Sequence, residues 1–559
     1  MKASKNNTVK LAVIAIVVFG LIFGVVSITQ NWGKNRDTID TEASMKKLDG
    51  LYAKLTVNKL NPKLDPSFQG QDEAEETMAV LPDIAEYSFV VNPATDHYLT
   101  IYASADKADW LIDVASKFNQ SGAAVDGQPV SVGIRAIPSS LAADFISSGK
   151  YSPDVYAPAS EIYGDMLIAQ GIKANLVEKR TAGNVAGIVI TKKKHDDLTR
   201  KYGTIDSKSI INSVLNGELT LGYTTPLSDE DGFSFILTLL SNFDSNDPLS
   251  DNAIANLRTL QDKVPLIAYD SDQLKASLTG GTLDAIVLNY HAYYNSPGLK
   301  ASYAFVPINV RHDHPVYEVG DLPEIKKQIT AQFVTFLKSA DSQKAASDRG
   351  FNQYDDVSLT TAFTGAAILQ AQEIYQKEKN GSSDLTAVFV ADISGSMEGS
   401  PLLNLKASLN RAIEVISSNA NVGLITFSDN VNIAVQIGKF ENNQRSYFSS
   451  AVKAMRAGGG TAMFDAVVVA EKMLMDAKMR NPNTKLMLFV LTDGESNRGY
   501  SFDDIQQITR GLKIPVYTIG YNANIDVLKE LSNINEAATM NADSDNVIYR
   551  IESLFGAQM

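Results

Sequence analysis

The 559-residue chain has no cysteine, five histidines and two tryptophans, and its 64 acidic side chains outnumber 50 basic ones. Without cysteine there can be no disulfide, no thiolate-held zinc or iron–sulfur cluster, no cysteine nucleophile and no lipid-modified N-terminal cysteine. A formal charge of −14 excludes a general electrostatic nucleic-acid binder, which needs a basic face. Fixed-period repeats, low-complexity tracts, a P-loop and a dinucleotide-binding fingerprint are also missing. What the chain does have is 44% hydrophobic residues, enough for several cores. Its length predicts about three to four domains.

Leu11 to Ile28 (LAVIAIVVFGLIFGVVSI) is 18 residues without a charge. As a helix it would reach ~27 Å, close to the hydrocarbon thickness of a bilayer. Lys2, Lys5 and Lys10 precede it and Trp32 follows, a pattern that keeps the N-terminus cytoplasmic and marks the far interface. A cleavable signal peptide has a shorter apolar region of ~7–15 residues ending in small residues, and Gly24 to Thr29 (GVVSIT) is a poor cleavage site. The expectation is an uncleaved, single-pass plasma-membrane anchor: 1–10 cytoplasmic, 11–28 in the membrane, the bulk of the chain outside the cell. Residues 29–87 read as a juxtamembrane helix and a spacer, since Leu51, Leu55 and Leu60 define no strong face and 61–82 is rich in Pro, Gly and acids.

From residue 88 onward, short apolar strands alternate with helical patterns, which predicts an α/β fold with ligands at the carboxyl ends of parallel strands. A hydrophilic linker at 377–384 (KEKNGSSD) separates two such units. In the second, strand 385–391 (LTAVFVA) runs into Asp392-Ile-Ser394-Gly-Ser396, and strand 486–491 (LMLFVL) runs into Thr492-Asp493-Gly494. The order βαββααβαβα sets Asp392 and Asp493 on one sheet edge, and the Gly458-Gly-Gly-Thr461 loop can bring a hydroxyl there. Two carboxylates and three hydroxyls form a hard-oxygen set that favours Mg²⁺, Mn²⁺ or Ca²⁺ over zinc or copper. Such an ion still seeks an anionic ligand, which a carboxylate of another protein can supply. An enzyme reading fails: His97, His195, His291, His312 and His314 lie outside this unit, neither Gly-containing serine turn fits Gly-x-Ser-x-Gly, and no nucleophile–base pair forms.

On those motifs and their order, residues 385–559 resemble the von Willebrand factor type A domain. The resemblance implies a metal-ion-dependent adhesion site at Asp392, Ser394, Ser396, Thr461 and Asp493, with the hydroxyls binding Mg²⁺ directly and the aspartates largely through water. The middle unit, expected at 88–376, resembles type 2 extracellular solute-binding proteins of the lineage that includes molybdate and sulfate receptors. The carrying segments are LTIYAS (99–104), DVYAPAS (154–160), LGYTTP (221–226), DAIVLNY (284–290) and QFVTFLK (332–338) leading to Gly350-Phe351. That resemblance implies two lobes closing on a ligand, with Ser104, Ser139, Ser140, Ser160, Thr225 and Tyr290 as cleft candidates.

Two departures qualify the ligand. Ser228-Asp-Glu-Asp-Gly232 precedes a helix at 233–241, and three carboxylates there cap well but repel an oxyanion. His291 stands where a Glu often follows the Tyr. A cationic or neutral solute, or a scaffold without one, is therefore expected. His312-Asp-His314-Pro315 reads as a charged loop before a proline. Together these features predict a membrane-anchored surface protein that grips a partner protein's Asp or Glu through a divalent cation. The alternative is a solute receptor or sensor of a transport-related complex, with the C-terminal domain as assembly module.

Overall fold

An apolar run without alternation makes a central strand, because a strand covered on both faces has no side left for polar residues. Leu385–Asp392 and Lys485–Thr492 are such runs and pair in parallel in the middle of a seven-stranded sheet. The computed structural model describes residues 41–68, 81–268, 270–357, 362–379, 384–494, 496–521, 525–532 and 539–541. It orders this sheet Val57–Lys59, Val431–Lys439, Asn421–Phe427, Leu385–Asp392, Lys485–Thr492, Val516–Gly520, Thr539–Asn541. All neighbours are parallel except Asn421–Phe427 against Val431–Lys439.

Strand periodicity splits the core into two layers. Ala387, Phe389, Phe489 and Leu491 share one with Leu405, Leu409 and Phe448 of the helices Ser400–Val415 and Asn442–Ala454. Val388, Val390, Leu488 and Val490 share the other with Val467, Leu474 and Ile505 of Met463–Arg480 and Phe502–Leu512. Residues 41–68, read from the sequence as part of a juxtamembrane helix and spacer, contain a helix and pack on this sheet rather than standing free. The helix Thr41–Tyr52 buries Leu48 to 1% exposure in the second layer, with Met45, Leu51, Tyr52 and Leu55 packed beside it. Val57–Lys59 then adds a parallel strand to Val431–Lys439, Val57 opposite Val431.

Asp65 completes this strap. Its carboxylate accepts from Ser449 Oγ at 2.7 Å and pairs with Lys453 Nζ at 2.5 Å, while its N–H donates to Ser446 Oγ at 2.8 Å. These hydrogen bonds, Lys453 foremost, hold the Asp65 carboxyl well below the usual carboxylate range. The physical reason for this packing is a face running Met45, Leu48, Tyr52 and Leu55, too short to stand alone and buried only by a partner far along the chain.

Between the strap and Leu385–Asp392 lies a two-lobed α/β unit. The first lobe's sheet runs Phe89–Val91, Gln128–Ala136, His97–Ala103, Val155–Ala157, Val316–Val319, Ala174–Glu178, with Ala124–Val125 paired off its path. The second runs Leu266–Ala268, Leu221–Thr224, Ala285–Asn289, Asn184–Thr191, Tyr303–His312. The chain crosses between lobes after Glu178 and again after His312, and the helix Gly365–Glu378 packs on both lobes. No helix among the described residues is long and apolar enough to cross a membrane. The anchor expected at 11–28 lies outside the described residues.

Candidate functional site

Ala391 lies opposite Leu491, so Asp392 ends one central strand where Asp493 follows the other, at the same edge. Asp392 is fully buried; its Oδ1 accepts the Ser394 N–H at 2.7 Å and its Oδ2 accepts the Thr492 hydroxyl at 2.6 Å. The hydroxyls of buried Ser394 and exposed Ser396 stand 3.1 Å apart. The glycine loop docks on this turn: Gly395 N–H donates to the Gly459 carbonyl at 3.0 Å, and Gly458 N–H to the Ile393 carbonyl at 2.9 Å. Buried Thr461 is tied to the loop after Asp493, its N–H donating to Asn497 Oδ1 at 2.9 Å and its carbonyl accepting from Ser496 Oγ at 3.0 Å.

The five expected oxygen donors therefore sit on three loops that dock on one another. Gly459 has φ +86°, and a Cβ there would stand 2.5 Å from Asp429 Oδ2, so the loop's path needs glycine. Asp429 also accepts from Gly460 N–H at 2.9 Å and pairs with Arg498 at 2.7 Å, bracing the loop from outside. Sequence reasoning missed Asp429, Thr492 and Asn497; the available signal was that Thr492 adjoins Asp493 and that Asp429 closely follows a strand ending at this edge.

Burial pushes the Asp392 carboxyl up to about 6, against the hydrogen bonds from Thr492 and Ser394, with Asp493 adding repulsion. A dry carboxylate beside a second one is under-neutralised, and with hydroxyls as the remaining donors it suits a hard divalent cation. Among the described residues no group of three or more His, Asp or Glu side chains is arranged to hold an ion. With only two carboxylates, this edge would have to rely on its hydroxyls.

The cleft candidates separate into two kinds. Ser104 and Ser140 reach the second lobe, Ser104 Oγ lying 3.3 Å from Glu230 Oε1 and Ser140 Oγ donating to the Ser228 carbonyl at 3.0 Å. Ser160 reaches it as well, through a carbonyl of the strand Tyr303–His312, and the others serve their own surroundings. Ser139 Oγ accepts from Ala159 N–H at 3.1 Å, Ser160 Oγ donates to the Arg311 carbonyl at 3.2 Å, and Thr225 Oγ1 accepts from Leu227 N–H at 3.5 Å. Tyr290 sits in an aromatic cluster, its ring 5.0 Å from Tyr354 and 5.1 Å from Phe305.

Asp229 caps the helix Glu230–Phe243, its Oδ1 accepting from Asp231 N–H at 2.9 Å and Gly232 N–H at 3.2 Å. His312 and His314 do not form the expected charged loop. Both are fully buried at the crossing between lobes, and burial pushes His312 down to about 4 and His314 well below the usual imidazole range. Both rings are neutral near pH 7, and the charge between them, Asp313, is taken by Arg311 at 2.8 Å.

Residues 387–555 match the family model of the von Willebrand factor type A domain, and residues 99–352 match that of the bacterial extracellular solute-binding protein. Inter-alpha-trypsin inhibitor heavy chain H3 of Homo sapiens is 33% identical over 149 residues, 25% of this chain and 16% of that one. A von Willebrand factor A domain-containing protein of Dictyostelium discoideum is 26% identical over 174 residues, 30% of this chain and 18% of that one. The chain thus spans less than a fifth of the length of these two curated relatives. A putative extracellular solute-binding protein from Bordetella parapertussis has a similar structure at TM-score 0.38 and 14% identity, covering 51% of this chain and 99% of that one. The chain carries a bacterial extracellular solute-binding protein domain followed by a von Willebrand factor type A domain.

Proposed function

We propose that this is a membrane-anchored surface binding protein whose type A domain recognises a partner protein through a divalent cation, Mg²⁺ for preference. The observation that carries the reading is the buried Asp392 carboxylate, with Asp493 beside it and the Ser394 and Ser396 hydroxyls 3.1 Å apart, on the sheet edge where Thr461's loop docks. Ser394, Ser396 and Thr461 would hold the ion, and Asp392 and Asp493 would balance its charge. When bound, the ion supplies a positive centre with a coordination position open to a partner's Asp or Glu. Thr492 and the Ser394 N–H keep Asp392 oriented toward that centre, and the Asp429–Arg498 pair keeps Thr461's loop in register. If residues 11–28 form the anchor, the packing of 41–68 on this domain would keep it, rather than the two-lobed unit, nearest the bilayer.

Affinity capture with the full chain, with and without chelator, tests the reading. Partner recovery should fall at least tenfold with chelator and equally with Asp392→Ala. Unchanged capture in chelator overturns it.

A second reading concerns the two-lobed unit, which would take a small-molecule solute between its lobes and act as the receptor of a transport-related complex. The cross-lobe contacts of Ser104 and Ser140 favour it. Stabilisation of the chain by a solute, indifferent to Asp392→Ala, would support it. Binding roles account for both domains without an enzymatic step.

A further inference from the structure

The seam between the two lobes is partly buried and rich in carboxylates, and the class of its ligand is inferred on the reading that a solute is taken there. The first lobe contributes Ser104 and Asp106, the second Asp229, Glu230 and Asp231, and the crossing between them His312 and His314. Ser104 Oγ contacts both Asp106 Oδ1 and Glu230 Oε1, yet one hydroxyl proton cannot serve two carboxylates at once. Asp231 is 5% exposed; its Oδ2 accepts from the backbone and side-chain N–H groups of Asn289, both at 2.9 Å. Its Oδ1 is buried without a hydrogen bond, 3.5 Å from His312 Nδ1, which also has none. Asp106 Oδ2 is buried without one as well, 3.6 Å from His314 Nε2.

Few positive charges oppose these acids. Arg311 is engaged by Asp313, and Lys107 is, among the described residues, the one cation facing Asp106 and Glu230, pushed down to about 7 by its burial against the pull of those two acids. Burial and mutual repulsion push Glu230 and Asp231 well above the usual carboxylate range. Buried lone pairs left unpaired are costly until a positive charge or a donor joins them. Among the described residues no three of these donors form a ready coordination shell, so the seam offers charge rather than a finished metal geometry.

We propose that the two-lobed unit binds a small cation between its lobes, with Asp106 of one lobe and Glu230 and Asp231 of the other facing its charge. Closure around a cation then sets the carboxylates of the two lobes against one positive charge. A metal ion and an organic ammonium share this chemistry.

The test uses the full chain carrying Asp392→Ala, so that the type A domain contributes no metal binding. Mn²⁺, Zn²⁺, choline and spermidine are titrated calorimetrically beside sulfate and molybdate, with Glu230→Gln and Asp231→Asn added in turn. A cation should bind, and each added substitution should weaken it at least tenfold; which cation binds separates the inorganic from the organic source. Should Asp231→Asn fail to fold by circular dichroism, Glu230→Gln alone decides. Cation binding indifferent to both substitutions overturns the assignment. Binding of an oxyanion instead overturns the cation while leaving solute binding intact, and no binding by any probe overturns both.

Discussion

Leu48→Ala tests whether residues 41–68 belong to the type A domain's core. Leu48 is 1% exposed and packs in the layer formed by Val388, Val390, Val467 and Leu474. Truncating a fully buried leucine removes the transfer term and leaves a cavity, together about 2–5 kcal/mol. Leu64, in the same segment, is 50% exposed, and its alanine variant should cost no more than about 0.5 kcal/mol. Hydrogen exchange of the Leu385–Asp392 amides against urea reads the stability of this sheet directly. Trp110, fully buried in the first lobe, serves as a fluorescence control whose unfolding should not move. If Leu48→Ala and Leu64→Ala cost the same, or if Trp110 reports the loss instead, the strap is not part of this core.

Two further outcomes rest on single residues. Burial pushes Glu471, fully enclosed in the helix Met463–Arg480, up to about 8. Its folded form holds a proton the unfolded form has lost, so its stabilising share is complete below the ordinary carboxyl value and fades as pH rises through 8. At pH 7 the deficit is about 3 kcal/mol. Urea unfolding across pH 4.5–8 should therefore favour Glu471→Gln increasingly as pH rises (~3 kcal/mol by neutrality), and a gap constant with pH would refute it. Gly459→Ala, at φ +86° against Asp429, should cost about 1–3 kcal/mol and weaken chelator-sensitive capture. Gly458→Ala, with open space at its Cβ, should do neither, and equal effects in the two variants would remove the steric account of the loop.

What the sequence by itself determined was local. An apolar run long enough for one strand, followed at once by Asp-x-Ser-x-Ser or Thr-Asp-Gly, leaves the acid at a sheet edge, and Asp392 and Asp493 lie there. The glycine run before Thr461 was legible for the same reason, since its path depends on its own φ values. Tertiary structure alone decided the rest. The face of Met45, Leu48, Tyr52 and Leu55 reads as weak until a sheet covers it, and Asn58 meets Asn432 across 374 residues. His312 and His314 look like a polar loop until the crossing between lobes buries them. Ser104 and Glu230, 126 residues apart, share a seam only because two sheets close on each other. Periodicity states that a face must be covered and an acid must be balanced, but long-range packing chooses the partner that does it.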